Sequence, residues 1–127
     1  MHLKRVGFNV ALAHLAVAMG GAVEELREQV RNGEAECYNI DDIYMLLRVE
    51  TLKNGEKELV IVAMNGKEAN QLESAFHHLA KLCGAKKIRF HATGSPEKIT
   101  ALGRFYQRYL KDSKPTLVEA IYTVEVR

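Results

Sequence analysis

A carboxylate or an imidazole can take the proton from an attacking amine. Glu50 and Glu58, which flank a predicted hairpin, and His91, in the strand predicted after the crossover, are the candidates of that kind near the split of the central strands. Each also fits a plain role as a solvated strand residue. His77 and His78 are adjacent in a helical pattern, about 100° apart round the axis, which does not suit two ligands of one metal. They read as helix-surface residues. Cys37 and Cys83 sit in no CxxC or Cys/His cluster, so a structural zinc site is not expected. Both are expected reduced, as small buried apolar groups. A Cys83–His91 dyad is conceivable, but Cys83 falls on an apolar stripe where a thiol stays inert. The chain carries no G-x-S-x-G elbow, no P-loop and no G-x-G-x-x-G.

Composition narrows the setting. The chain has 127 residues, 47% hydrophobic and 27% charged. That is one domain with enough apolar mass for a core, spanning 1–127. Eighteen Lys+Arg against sixteen Asp+Glu leave a net charge of +2. The densest basic groups are Lys4-Arg5, Lys86-Lys87-Arg89 and Arg104-Arg108-Lys111, without interleaved aromatics on a strand. A nucleic-acid partner is therefore not expected. The first twenty residues mildly imitate a signal peptide, yet Asn9 and His14 interrupt the apolar run and no cleavage pattern follows. No window reaches the ~20 apolar residues that span a bilayer. The expected location is cytoplasmic, without a membrane partner.

The candidate residues must be held by the elements around them. Asn9 can cap a helix through Val10 and Met19, broken at Gly20-Gly21. Val23, Leu26 and Val30 mark a second amphipathic helix that stops at Asn32-Gly33. Ile43 to Glu50 alternates as a strand and turns at Asn54-Gly55 into Leu59-Val60-Ile61-Val62-Ala63-Met64. That return strand is apolar on both sides, which predicts an inner position with both faces covered. Leu72, Phe76, Leu79 and Cys83 form the stripe of a long helix, with Gly84 as its C-terminal cap. Lys87 to Ala92 reads as the next strand, parallel to the return strand through a right-handed crossover. Ser95-Pro96 opens a further helix, with Ile99, Leu102, Phe105, Tyr106 and Tyr109 at helical spacing. Asp112 to Pro115 is a loop, and Leu117 to Val126 a closing strand. The predicted order is α-α-β-β-α-β-α-β: an α/β domain whose mixed, mainly antiparallel sheet of about four strands carries helices on both faces.

This order resembles the GNAT N-acetyltransferase superfamily from about Glu58 to Arg127. "ELVIVAMNG" resembles the strand that carries acetyl-CoA in that family. "KEANQLESAFHHLAKLCGAKKIRF" resembles the helix and strand after it, "ALGRFYQRYL" the helix with an aromatic-Tyr pair, and "EAIYTVEVR" the closing strand. Short divergent domains of this look occur in phages and prophages.

The resemblance implies site residues. Met64, Asn65, Gly66 and Lys67 would hold acetyl-CoA, and Tyr106, with Tyr109 as fallback, would protonate the departing thiolate. Active members carry a Gln/Arg-x-x-Gly-x-Gly/Ala loop whose amides and helix N-terminus bind the diphosphate. Here Asn65-Gly66-Lys67-Glu68-Ala69-Asn70-Gln71 has one glycine and a repelling glutamate. Thr93-Gly94-Ser95 replaces the usual Asn, and Leu110-Lys111 the usual Gly-Phe. The expected function is thus a degenerate GNAT-like domain acting through protein contacts or self-association, as a phage or prophage accessory or virion-associated protein. The alternative is an active acyl-CoA N-acyltransferase that passes an acetyl group to an amine.

Overall fold

The computed structural model describes residues 3–66, 71–91, 95–116, 118 and 124–126. Its order is β1 (Lys4–Val6), α1 (Phe8–Met19), a 3-10 turn (Gly20–Ala22), α2 (Val23–Arg31), β2 (Ala35–Ile40), β3 (Ile43–Thr51), β4 (Lys57–Asn65), α3 (Leu72–Cys83), β5 (Ala85–Phe90) and α4 (Pro96–Tyr109), followed by a second 3-10 turn. The five strands lie in the order β1-β2-β3-β4-β5. All neighbours run antiparallel except β4 and β5, which are parallel. The expected βαβ unit, the helices on both faces and the mixed sheet are all present.

Two of the five strands, β1 and β2, were not among the four expected. β2 hides its pattern because Glu36, Tyr38 and Asn39 interrupt the apolar residues. Ala35 and Cys37 are nevertheless buried on one face and Ile40 on the other. A two-residue turn, Asp41-Asp42, joins it to β3 in register Ile40 to Ile43. Asp41 takes φ 52, a left-handed conformation that aspartate tolerates better than most residues. β1 has only three residues, too few for a period to show. Asn9 is not the cap of α1. Gly7 is, and the Asn9 Oδ1 instead accepts from the Arg27 guanidinium at 3.0 Å. Of the closing strand, Val118 and residues 124–126 carry no strand structure, and the rest falls outside the described residues.

The sheet separates two cores. α3 lays Leu72, Ala75, Phe76 and Leu79 on Ile43, Met45, Leu47, Leu59 and Ile61. α1 and α2 lay Ala11, Leu15, Met19 and Leu26 on Ala35, Cys37, Leu46 and Ala63 from the other side. β4 feeds both, as its two-sided apolarity predicts, between β3 and β5. Gly84 caps α3 at φ 74, and the Ser95 Oγ accepts from the Lys98 N–H at 3.2 Å to cap α4. The helical stripe of α4 is real but only half-buried, with no fully buried residue.

One irregularity decides where the end of β4 points. The pairing Leu46–Ala63 is followed by Leu47–Ile61, so Val62 is an extra residue without a partner on β3. Alternation then resumes one step out of phase. Leu59 and Ile61 face α3, but Ala63 faces α1. Asn65, opposite Tyr44, follows Ala63 onto that side.

Candidate functional site

β4 outruns its neighbour. Its last pairing with β5 is Ile61 to Phe90, and Val62 to Asn65 continue without a β5 partner. The parted strands open a cleft of about 210 Å³ between the end of β4 and α4, walled on one side by Val17 and Ala18 of α1. Met64, Asn65, Gly66, His91 and Tyr106 all line it. Four of the five residues first singled out for chemistry there, Met64, Asn65, Gly66 and Tyr106, are thus brought together. Lys67, the fifth, lies outside the described residues.

Each has a local reason to be there. Tyr106 sits on the inner stripe of α4, its ring 4.7 Å from that of Phe90, which lies 5.3 Å from that of Phe76. This aromatic row ties α4 to β5 and α3. Burial pushes the Tyr106 hydroxyl up to about 12, so it stays protonated at neutral pH. Tyr109 is packed against Phe105 under the Arg108 guanidinium and does not line the cleft, so it is no substitute for Tyr106. Asn65 uses its side chain structurally: Nδ2 donates to the His14 carbonyl of α1 at 2.7 Å. The His14 ring stacks on Tyr44, 3.8 Å away and 4° from parallel. Together these contacts fix the α1 wall of the cleft to β3 and β4.

Gly66 has a packing reason to be glycine. A Cβ there would stand 2.6 Å from Ile43 Cγ1 and 2.8 Å from both the Asp42 carbonyl oxygen and Ile43 Cα. Two of these three atoms are backbone and cannot swing aside. Gly66→Ala is expected to destabilise the domain by about 1–3 kcal/mol through overpacking, seen as a lower midpoint in thermal unfolding. A midpoint equal to that of the parent would show that the β2–β3 turn yields freely.

The three candidate bases separate. Arg89 bridges the other two, with its Nη2 against Glu50 and its Nη1 2.8 Å from Glu58. Arg48 adds a contact to Glu50 at 3.6 Å. Glu58 is buried and Glu50 half-buried, so both carboxylates are engaged. His91 lies just past the end of β5, not within the strand, and is exposed where it lines the cleft. Partial burial and the nearby Arg89 and Arg48 hold its imidazole below the usual range, against the opposing pull of Glu50 and Glu58. It is therefore neutral at pH 7 and able to accept a proton. Sequence reasoning missed Lys98, Val17 and Ala18 as cleft residues. Only the helical phase of Lys98, four residues before Leu102 and eight before Tyr106, hinted at the first.

Other candidates take structural roles. His77 Nε2 is 2.8 Å from Ser113 Oγ, and Glu73 accepts from both the N–H and the hydroxyl of Ser113, which pins the turn after α4 to α3. His78 is exposed. Among the described residues no three His, Cys, Asp or Glu side chains form a metal-binding group. Cys37 and Cys83 are free and lie in opposite cores. Burial pushes the Cys37 thiol up to about 11, leaving it unreactive. A larger groove, about 640 Å³, runs between the ends of α2, β2 and α3. Within it Tyr38 donates to Glu36 at 2.6 Å and Arg48 to Gln29 at 3.3 Å. Among the described residues no helix is long and apolar enough to cross a membrane.

No family profile and no curated protein sequence matches the chain. Solved structures do. The fold is similar to that of a ribosomal-protein-alanine N-acetyltransferase from Brucella melitensis biovar Abortus 2308, at TM-score 0.63 and 13% identity over 99% of this chain and 100% of that one. It is similar to TTHA1254 from Thermus thermophilus, at TM-score 0.60 and 15% identity over 100% of both chains. It is also similar to an aminoglycoside acetyltransferase, HMB0005, from an uncultured soil metagenomic sample, at TM-score 0.55 and 12% identity over 99% and 98%. The described residues have a GNAT-like fold.

Proposed function

We propose that this chain is an acyl-CoA-dependent N-acyltransferase whose active site is the cleft where β4 and β5 part. One observation carries the reading: a protonated tyrosine hydroxyl, Tyr106, in the cleft where the end of β4 runs on beyond β5. The donor supplies an acyl group already activated as a thioester. Met64 and the apolar wall of α1 fit its arm, and Gly66 and Lys67, on sequence grounds, fit its diphosphate. His91 takes the proton that the amine nitrogen sheds as its lone pair forms the new carbon–nitrogen bond. Tyr106 offers its O–H to the sulfur, which keeps the electron pair of the broken carbon–sulfur bond. Transfer is direct and draws its rate from proximity rather than a covalent enzyme intermediate.

Binding to the native state raises stability by mass action. Acetyl-CoA at a hundredfold excess over its dissociation constant adds about 2.7 kcal/mol. That moves the unfolding midpoint by roughly 10 °C in a domain of this size. The expected result is a rise of several degrees at millimolar acetyl-CoA, with thiol release when an amine from a panel of amino acids, peptides and polyamines is added. An unchanged midpoint removes the enzyme reading.

A second reading is favoured by the segment after β4. Its one glycine is needed for packing on Asp42 and Ile43, Asn65 is spent on α1, and Glu68 opposes a diphosphate. On that reading the domain has lost its donor and acts through protein contacts or self-association, as an accessory or virion-associated protein of phages or prophages. It requires the same titration to give no shift.

A further inference from the structure

Resting on the N-acyltransferase reading, we propose that Lys98 of α4 holds the diphosphate of the acyl-CoA donor, from the wall of the cleft that faces the end of β4.

The helix sets the distances. Lys98, Leu102 and Tyr106 follow one another at intervals of four residues, on one stripe of α4, and all three line the cleft. Tyr106 marks the inner end of that stripe: its ring lies 4.7 Å from that of Phe90, the last residue of β5. Lys98 stands two turns earlier, about 12 Å away along the helix axis. It is exposed, at the outer end of the stripe. From β4, Asn65 and Gly66 reach the same cleft.

The Lys98 ammonium is free to bind. Its backbone N–H is taken by the Ser95 Oγ, but among the described residues its Nζ has neither a hydrogen bond nor an ion pair. Among those residues no Asp or Glu lines the cleft to compete for it. The β4 wall has no such spare side chain among them. Asn65 Nδ2 is used on the His14 carbonyl, and Gly66 is packed against Asp42 and Ile43. Lys98 makes good that deficit from the other side, as a point charge suited to phosphate oxygens. Length decides which anion it meets. Tyr106 serves the sulfur, and the pantetheine arm that joins sulfur to diphosphate is long enough to span two helical turns. A carboxylate on a small amine acceptor stays within a few bonds of the reacting nitrogen and does not reach so far.

The test compares acetyl-CoA with S-acetyl-pantetheine, which has the same thioester and arm but no diphosphate. Calorimetric titration of the full chain gives a dissociation constant for each. Lys98→Gln is expected to weaken acetyl-CoA binding by about tenfold, the lower end for a hydrogen bond to a charged group because Lys98 is exposed. S-acetyl-pantetheine should bind parent and variant alike, and Lys98→Arg should keep most of the acetyl-CoA affinity. Equal acetyl-CoA affinity in the parent and Lys98→Gln overturns the proposal. So does an equal loss for both donors, which would mean that Lys98 supports the arm or the fold, and so does a change confined to the KM of the amine, which would give Lys98 to the acceptor. A parent that binds neither donor removes the N-acyltransferase reading and this proposal together, whereas a parent that binds acetyl-CoA no better than Lys98→Gln removes the proposal alone.

Discussion

Phe76→Ala is expected to remove about 3–5 kcal/mol of stability, the range for truncating a buried phenylalanine that leaves a cavity. Phe76 is fully buried at the centre of the α3 core. The loss is a large share of the roughly 5–15 kcal/mol that holds a typical domain together. It also strikes the cleft from behind. Phe76 supports Phe90, and Phe90 supports Tyr106. α4 has no fully buried residue of its own, so this row and the half-buried Phe105 and Tyr109 carry its docking. Urea unfolding followed by circular dichroism should show a lower midpoint with little change in slope. Leu82→Ala, one position before Cys83 and 73% exposed, should stay close to the parent. A Phe76→Ala cost below about 1 kcal/mol, far under the range for such a truncation, would mean that the aromatic row is not the support described.

The same row explains what the sequence could and could not reveal. Long periodic segments were legible. The Leu72–Phe76–Leu79 stripe, the Ser95-Pro96 start of α4 and the two-sided strand from Leu59 each set one element by local rules. Elements made by pairing were not. β1 exists because Lys4, Arg5 and Val6 find Asn39, Tyr38 and Cys37 across the gap left by two helices. β2 carries polar residues on a half-open face, which blurs its alternation. The site shows the same division. Tyr106 was legible as an aromatic on an inner helical stripe, and Gly66 as the end of a strand. The bulge at Val62 was not, because nothing local marks the skipped partner. Yet it turns Asn65 onto the α1 side, where its amide secures the cleft wall instead of facing a ligand. The base is a third case. Glu50 and Glu58 look like free carboxylates in one dimension. Only the register of three strands shows that Arg89 occupies both and leaves His91 at the cleft.

Tyr106→Phe separates catalysis from folding. Among the described residues the Tyr106 hydroxyl makes no hydrogen bond, so deleting it breaks no internal contact and leaves the ring in place on Phe90. Thermal stability should stay close to that of the parent, since the hydroxyl makes no hydrogen bond to the described residues and faces the open cleft. Turnover should fall by about 10²-fold, the lower end of what a positioned acid contributes. The lower end is expected on grounds of acidity. An alkyl thiol ionises near ~8.5, and a hydroxyl at about 12 does not give up its proton fully to such a thiolate. Its contribution is a hydrogen bond that strengthens as charge gathers on sulfur. The loss should therefore appear in kcat with KM little changed, because the ground-state thioester sulfur is a poor acceptor. Thiol release from acetyl-CoA, with whichever amine of the panel supports it, gives both constants. Equal turnover in Tyr106→Phe and the parent would strip Tyr106 of its role. A matching drop in stability would show that the hydroxyl serves the fold instead.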